Sequence, residues 1–153
     1  MRTSSHIRRL VRSRDGNAAV EFAFVAPILA TLLWAGYDFG QVIEEKIRLT
    51  NAAVAGVQFA TQNAANAQNA SAIQNTVRAA ANDTVNAIAV TSALACSCED
   101  GSTITCGAGT CASGVPVQQA TVTVQENFSV SVATPFFAAA VPLSVSASMR
   151  VLR

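Results

Sequence analysis

Charge is what this sequence has least of. Lys, Arg, Asp and Glu together make 12% of its 153 residues, and hydrophobic residues make 51%. An ordinary soluble protein carries about 25% charged residues, so the composition points away from the cytosol. There is one histidine, His6, and it lies among arginines near the N-terminus. No His-based nucleophile activation or acid–base relay can therefore operate in the rest of the chain. A glycine-rich phosphate loop is also missing. Glu99 and Asp100 are adjacent and fit a solvated turn better than a catalytic pair. The chain is expected not to be an enzyme and to carry no cofactor, and its length leaves room for a single domain. The net positive charge is concentrated as well: Arg2, Arg8, Arg9, Arg12 and Arg14 stand against Asp15 alone in residues 1–16, and the remainder is net acidic. One short basic arm without aromatics, on an acidic chain, argues against nucleic acid as a partner.

What is abundant is apolar sequence near the N-terminus. No charged residue occurs from Phe22 to Tyr37, and with Asn17 to Glu21 included the stretch covers about 31 Å as a helix rising ~1.5 Å per residue. That length can span a bilayer. The five arginines precede it, and Asp38, Glu44 and Glu45 follow it. The positive-inside rule then places residues 1–16 in the cytoplasm and exports the bulk of the chain. A cleavable secretory signal would need a small-x-small site after the run, but bulky Leu33, Trp34 and Tyr37 occupy that region. A retained single-pass membrane helix is expected over a signal peptide or a buried core helix.

Glu21 is the residue that does not belong. A carboxylate near the start of a membrane helix is costly and persists with a cationic partner, although headgroup depth and the helix dipole also favour an anion there. Its surroundings read Arg14-Asp15-Gly16-Asn17-Ala18-Ala19-Val20-Glu21-Phe22, which resembles a type IV prepilin. The resemblance implies cleavage between Gly16 and Asn17 by a prepilin peptidase, with Glu21 falling at the fifth mature position. The new α-amino group of one subunit would pair with that carboxylate in another, inside a low-dielectric helix bundle. The longer stretch "RDGNAAVEFAFVAPILATLLWAGYDFGQ" is similar to the N-terminal signature of TadE-like pseudopilins of the Flp, or tight-adherence, pilus system. Ala19-Val20-Glu21-Phe22, Pro27 and Asp38-Phe39-Gly40 carry that likeness, and Asn51 to Ala60 and the closing "LSVSASMRV" continue it. Gln41 and Val57-Gln58 depart from it, standing where the family usually has basic residues.

Beyond the span, Ile43, Ile47, Thr50, Val54, Val57 and Thr61 recur at helical spacing, with Glu44, Glu45, Arg48, Asn51 and Gln58 on other faces. The first helix is expected to reach about residue 61. Residues 62–72 fit a polar loop or frayed helix. A second helix follows, with the stripe Ile73, Val77, Ala81, Val85 and Ile88. Strand signals come last. Val122, Val124, Phe128, Val130 and Val132 are expected to form one long strand; a two-residue turn at Glu126-Asn127 would break the apolar face, a three-residue turn would keep it, and the long strand is favoured. Pro135 to Pro142 is expected to reverse the chain into an antiparallel strand carrying Leu143, Val145, Ala147, Met149 and Val151.

Cys96, Cys98, Cys106 and Cys111 fall within sixteen residues, on the side that the charge rule places in an oxidising compartment. Two disulfides are expected, in any of three pairings; a nested Cys96–Cys111 and Cys98–Cys106 would staple a short hairpin. Zinc is disfavoured because the spacing lacks the C-x2-C knuckles of structural sites, and no metal is expected.

The resulting expectation is an α+β, pilin-like chain. Residues 1–16 form a basic cytoplasmic leader, 17–61 the membrane helix and its extension, and 62–153 an exported domain of a second helix and a small antiparallel sheet with a stapled hairpin. The resemblance implies a minor pilin taking part in Flp pilus assembly, surface adhesion and biofilm formation, located in the inner membrane with its C-terminal domain periplasmic. Implied partners are the prepilin peptidase, other pilins, the Tad inner-membrane platform with its ATPase, and the lipid bilayer. The alternative is a membrane-anchored envelope protein independent of any filament.

Overall fold

The computed structural model describes residues 15–84, 87–112, 114–129 and 140–151. Helix α1 spans Asp15–Thr61, α2 Ala64–Gln68 and α3 Ala70–Ala80. Strands β1 (Ala89–Ser97), β2 (Thr103–Ile104), β3 (Val117–Ser129) and β4 (Ala140–Arg150) form one antiparallel sheet in the order β2-β1-β3-β4. The long N-terminal apolar helix, further helices and small antiparallel sheet give the expected fold class. The chain divides into two compact units, one ending at Gly40 and one running from Gln41.

In the second unit α1 buries Leu49, Ala52, Ala53, Val57 and Ala60, against a core that also holds Ile73, Val77, Ile88, Val122 and Val124. The apolar stripe expected for this part of α1 is only partly right. Val57 is buried, but Ile43 and Ile47 remain 44% and 55% exposed. The buried face is built from small residues instead. They let the helix backbone approach α3 and the sheet until a Cβ on Gly56 would overlap Val77 and touch Val122 and Ile73.

Asparagines punctuate the polar stretch after α1. Asn63 Oδ1 accepts from the Asn66 amide at 2.8 Å and Asn69 Oδ1 from the Ala72 amide at 3.1 Å, so each caps a helix start. Helix α3 stops at Ala80, short of the apolar stripe that runs on to Ile88. Asn82 adopts a left-handed backbone, φ 51°, and the Asp83 carboxylate accepts from the Ala87 and Ile88 amides. Ala81 and Ile88 are buried all the same, from the connecting segment rather than from the helix. Val85 lies outside the described residues.

β3 runs unbroken through Glu126-Asn127, as expected up to Ser129; Val130, Val132 and Pro135 lie outside the described residues. Pro142, expected to break the pattern, sits inside β4, opposite Asn127. The reason is in the ladder. Val151 N–H donates to Gln118 O at 2.8 Å, so by two-residue alternation the odd positions of β4 bond β3 and the even positions face the open edge. The N–H that proline lacks would have pointed outward, where its absence costs no ladder bond. β1 was not anticipated from the sequence. It pairs with β3 from Ala89↔Gln125 to Ser97↔Val117, turning Val90 and Cys96 inward.

Candidate functional site

The upstream part of α1 presents its apolar side chains outward. Phe22, Phe24, Leu32 and Leu33 are 65–77% exposed, which is untenable in water and natural in lipid. The helix is long and apolar enough to cross a membrane. Pro27 lies within it, removing one backbone donor; membrane helices tolerate this where neighbouring groups compensate. Gly16, Asn17 and Glu21 all lie in this helix, and Asn17 and Glu21 are exposed. Four residues separate Asn17 from Glu21, so they stand one above the other on one helix face. The carboxylate thus shares its face with the residue that cleavage after Gly16 would make N-terminal.

Residues 16–58 match the TadE-like protein family. No curated protein and no solved structure matches the chain. The TadE-like segment covers less than a third of the chain. It takes in Gly16, Asn17, Glu21, the exposed apolar face and the first buried turns of the second unit, including Gly56. Asp38, within the segment, is 3% exposed, and neither carboxylate oxygen has a hydrogen-bond partner among the described residues.

The cysteines form two disulfides, Cys96–Cys106 and Cys98–Cys111. They cross rather than nest. Cys96 lies in β1 and Cys98 just past its end, and Cys96 pairs across the hairpin with Ile104, so Cys106 reaches Cys96 first and the chain curls back to bring Cys111 to Cys98. All four sulfurs are spent in these bonds, leaving no thiolate for zinc.

A charged cluster that sequence reasoning missed joins three elements of the second unit. Arg48 Nε donates to Glu45 Oε1 at 2.7 Å, Nη2 to Glu126 Oε2 at 2.9 Å, and Nη1 to the Ala81 carbonyl just past α3. Burial raises the Glu126 carboxyl above its ordinary value, and the neighbouring Glu45 carboxyl pushes the same way against the opposing Arg48. Arg48 is itself raised, first by its hydrogen bond to Glu45. The signal was available in the strand pattern: Glu126 has the same parity as the core residues Val122 and Val124, so its carboxylate falls on the inward face of β3. An inward charge requires a partner, which the apolar stripe of α1, with Arg48 on another face, does not reveal.

Proposed function

We propose that this chain is a TadE-like minor pilin, a non-enzymatic subunit that takes part in assembly of a Tad, or Flp, pilus. The observation carrying this reading is Glu21, set five positions after Gly16 on an exposed apolar helix. Around it, the match of residues 16–58 to TadE-like proteins and a helix able to cross a membrane are consistent with a membrane-anchored pilin. In this reading the arginine-rich leader stays in the cytoplasm and the unit from Gln41 onward lies outside the inner membrane, where its disulfides are stable. A prepilin peptidase removes residues 1–16. The freed α-amino group then gives the Glu21 carboxylate of a neighbouring pilin a cation in a medium where an unpaired charge is penalised. Other pilins, the inner-membrane platform and its ATPase are the partners this mechanism needs; surface adhesion and biofilm formation follow from the finished filament.

Mass spectrometry of the mature N-terminus tests the reading. Asn17 is expected as the first residue in cells with the peptidase, and Glu21→Ala is expected to abolish incorporation while leaving membrane insertion intact. An intact leader in those cells, or full assembly by Glu21→Ala, would reduce the chain to a membrane-anchored envelope protein without a filament role.

A further inference from the structure

Two carboxylates and one guanidinium meet where α1 crosses the inner face of β3, leaving the cluster one negative charge in excess. Arg48 uses three donors, to Glu45, Glu126 and the Ala81 carbonyl, so it ties α1 to the sheet and to the end of α3. The side chains of Glu45 and Glu126 are each 13% exposed, so water screens their repulsion poorly. Among the described residues no second cation pairs with either carboxylate: Lys46, next to Glu45 on α1, is exposed, and Arg78, on α3 one turn before Ala81, makes no ion pair with them. From α1, Glu44 lines the groove beside the cluster with Gln41, Glu45 and Arg48, adding negative charge. β4 places Leu143 opposite Glu126, and β1 begins beside it with Ala89. Asp83, on the segment after α3, turns its carboxylate to the Ala87 and Ile88 amides.

We infer that the Glu45–Arg48–Glu126 cluster is an acid-tightened clamp, in which a proton taken up by the carboxylate pair strengthens the attachment of α1 to the sheet. Protonated, one carboxyl can donate to the other while the second still accepts from Arg48. The excess charge disappears and an O–H···O⁻ bond, among the stronger protein hydrogen bonds, replaces a repulsion. Deprotonated, the two carboxylates share one guanidinium and the attachment loosens. The direction of the Glu126 shift agrees: its folded carboxyl is raised above 4.5, so the folded state holds the proton more tightly than the unfolded chain. That stabilisation is complete below 4.5 and is lost as the pH rises through the folded value. Asp100, held below its ordinary 3.8 by the Ser102 hydroxyl and amide, acts in the opposite direction and only under stronger acid.

Urea unfolding of the full chain in detergent micelles, followed by the circular dichroism of the sheet, tests the clamp. The urea midpoint is expected to rise when the pH falls from about 8 to about 5. Glu126→Gln, which keeps the shape and can donate to Glu45 permanently, is expected to show a midpoint near the acid value at both pH values. A wild-type midpoint that is flat or falls toward pH ~5, or a Glu126→Gln variant that keeps the wild-type slope, would overturn the inference. Glu44→Gln serves as the control. It removes a carboxylate outside the hydrogen-bonded set and should leave the slope in place; loss of the slope in this variant would also refute the assignment.

Discussion

Replacing Gly56 with alanine sets two opposed effects against each other, and the structure says which wins. In a helix interior alanine is favoured over glycine by about 1 kcal/mol, so on propensity alone Gly56→Ala should stabilise the chain. Gly56, however, faces Val77, Val122 and Ile73, which are 0%, 0% and 1% exposed. The added methyl would overlap Val77 Cγ2 and come within 3.4 Å of Val122 Cγ1 and 3.7 Å of Ile73 Cγ2. A helical valine has essentially one side-chain rotamer, so Val77 cannot swing aside, and overpacking of this kind costs about 1–3 kcal/mol. The expected net loss is about 1 kcal/mol, since the clash exceeds the propensity gain over most of that range. Hydrogen–deuterium exchange of the β3 amides in the detergent-solubilised chain measures it, and several-fold faster exchange is expected because about 1.4 kcal/mol is a factor of ten. Combining Gly56→Ala with Val77→Ala removes the overlap, so the double variant should lose less than the two single losses added together. Exchange in Gly56→Ala equal to or slower than wild type, with no coupling to Val77→Ala, would refute the packing argument.

Paired Cys98→Ser and Cys111→Ser substitutions release a loop whose ends are 13 residues apart; a loss of about 2–3 kcal/mol is expected. Faster exchange should concentrate in β1 and β2 and spare the Arg48 end of the unit, so a uniform change or none would count against a local staple. Asp38→Asn replaces a buried carboxyl whose oxygens have no hydrogen-bond partner among the described residues. The melting temperature of the full chain in detergent should hold or rise, because the amide keeps the shape of a side chain whose oxygens make no hydrogen bond; a fall would show that the carboxyl itself is needed.

The parts of the fold legible in the sequence were those governed by one solvent or one strict period. An apolar run long enough to cross a bilayer shows in composition alone, so α1 was visible there. A strand with a buried face demands alternation, so β3 could be followed through Glu126-Asn127 without a turn. What escaped depended on distance between elements. The stripe through Ile43 and Ile47 is more hydrophobic than the face with Ala52, Ala53, Gly56 and Ala60, and hydropathy alone therefore puts those two isoleucines on the wrong side of α1, though Val57 on the right one. Small residues win there because a close helix–sheet approach buries the helix backbone, and the large side chains of Val77 and Val122 fill the space. β1 was hidden for a related reason, since its inward positions include Ser92 and its outward ones alanines, giving weak contrast. The disulfide pairing was left open, as three connectivities fit any four cysteines; the hairpin register decided it.

Glu126 ties these observations together. On a two-residue period it must lie with Val122 and Val124 or force the strand to break, and β3 does not break. A carboxylate on the inner face then needs a cation from the helix above it, so Arg48 has to turn inward, and Glu45 and Leu49 turn with it. That rotation moves Ile43 and Ile47 outward and brings the alanine face with Gly56 down onto the sheet. The exposed isoleucines therefore follow from the strand's parity, in the same helix whose exposed upstream phenylalanines and leucines belong to a run long and apolar enough to cross a membrane. One charged residue on β3 decides which side of α1 the second unit buries, and Gly56 permits the close approach that this choice requires.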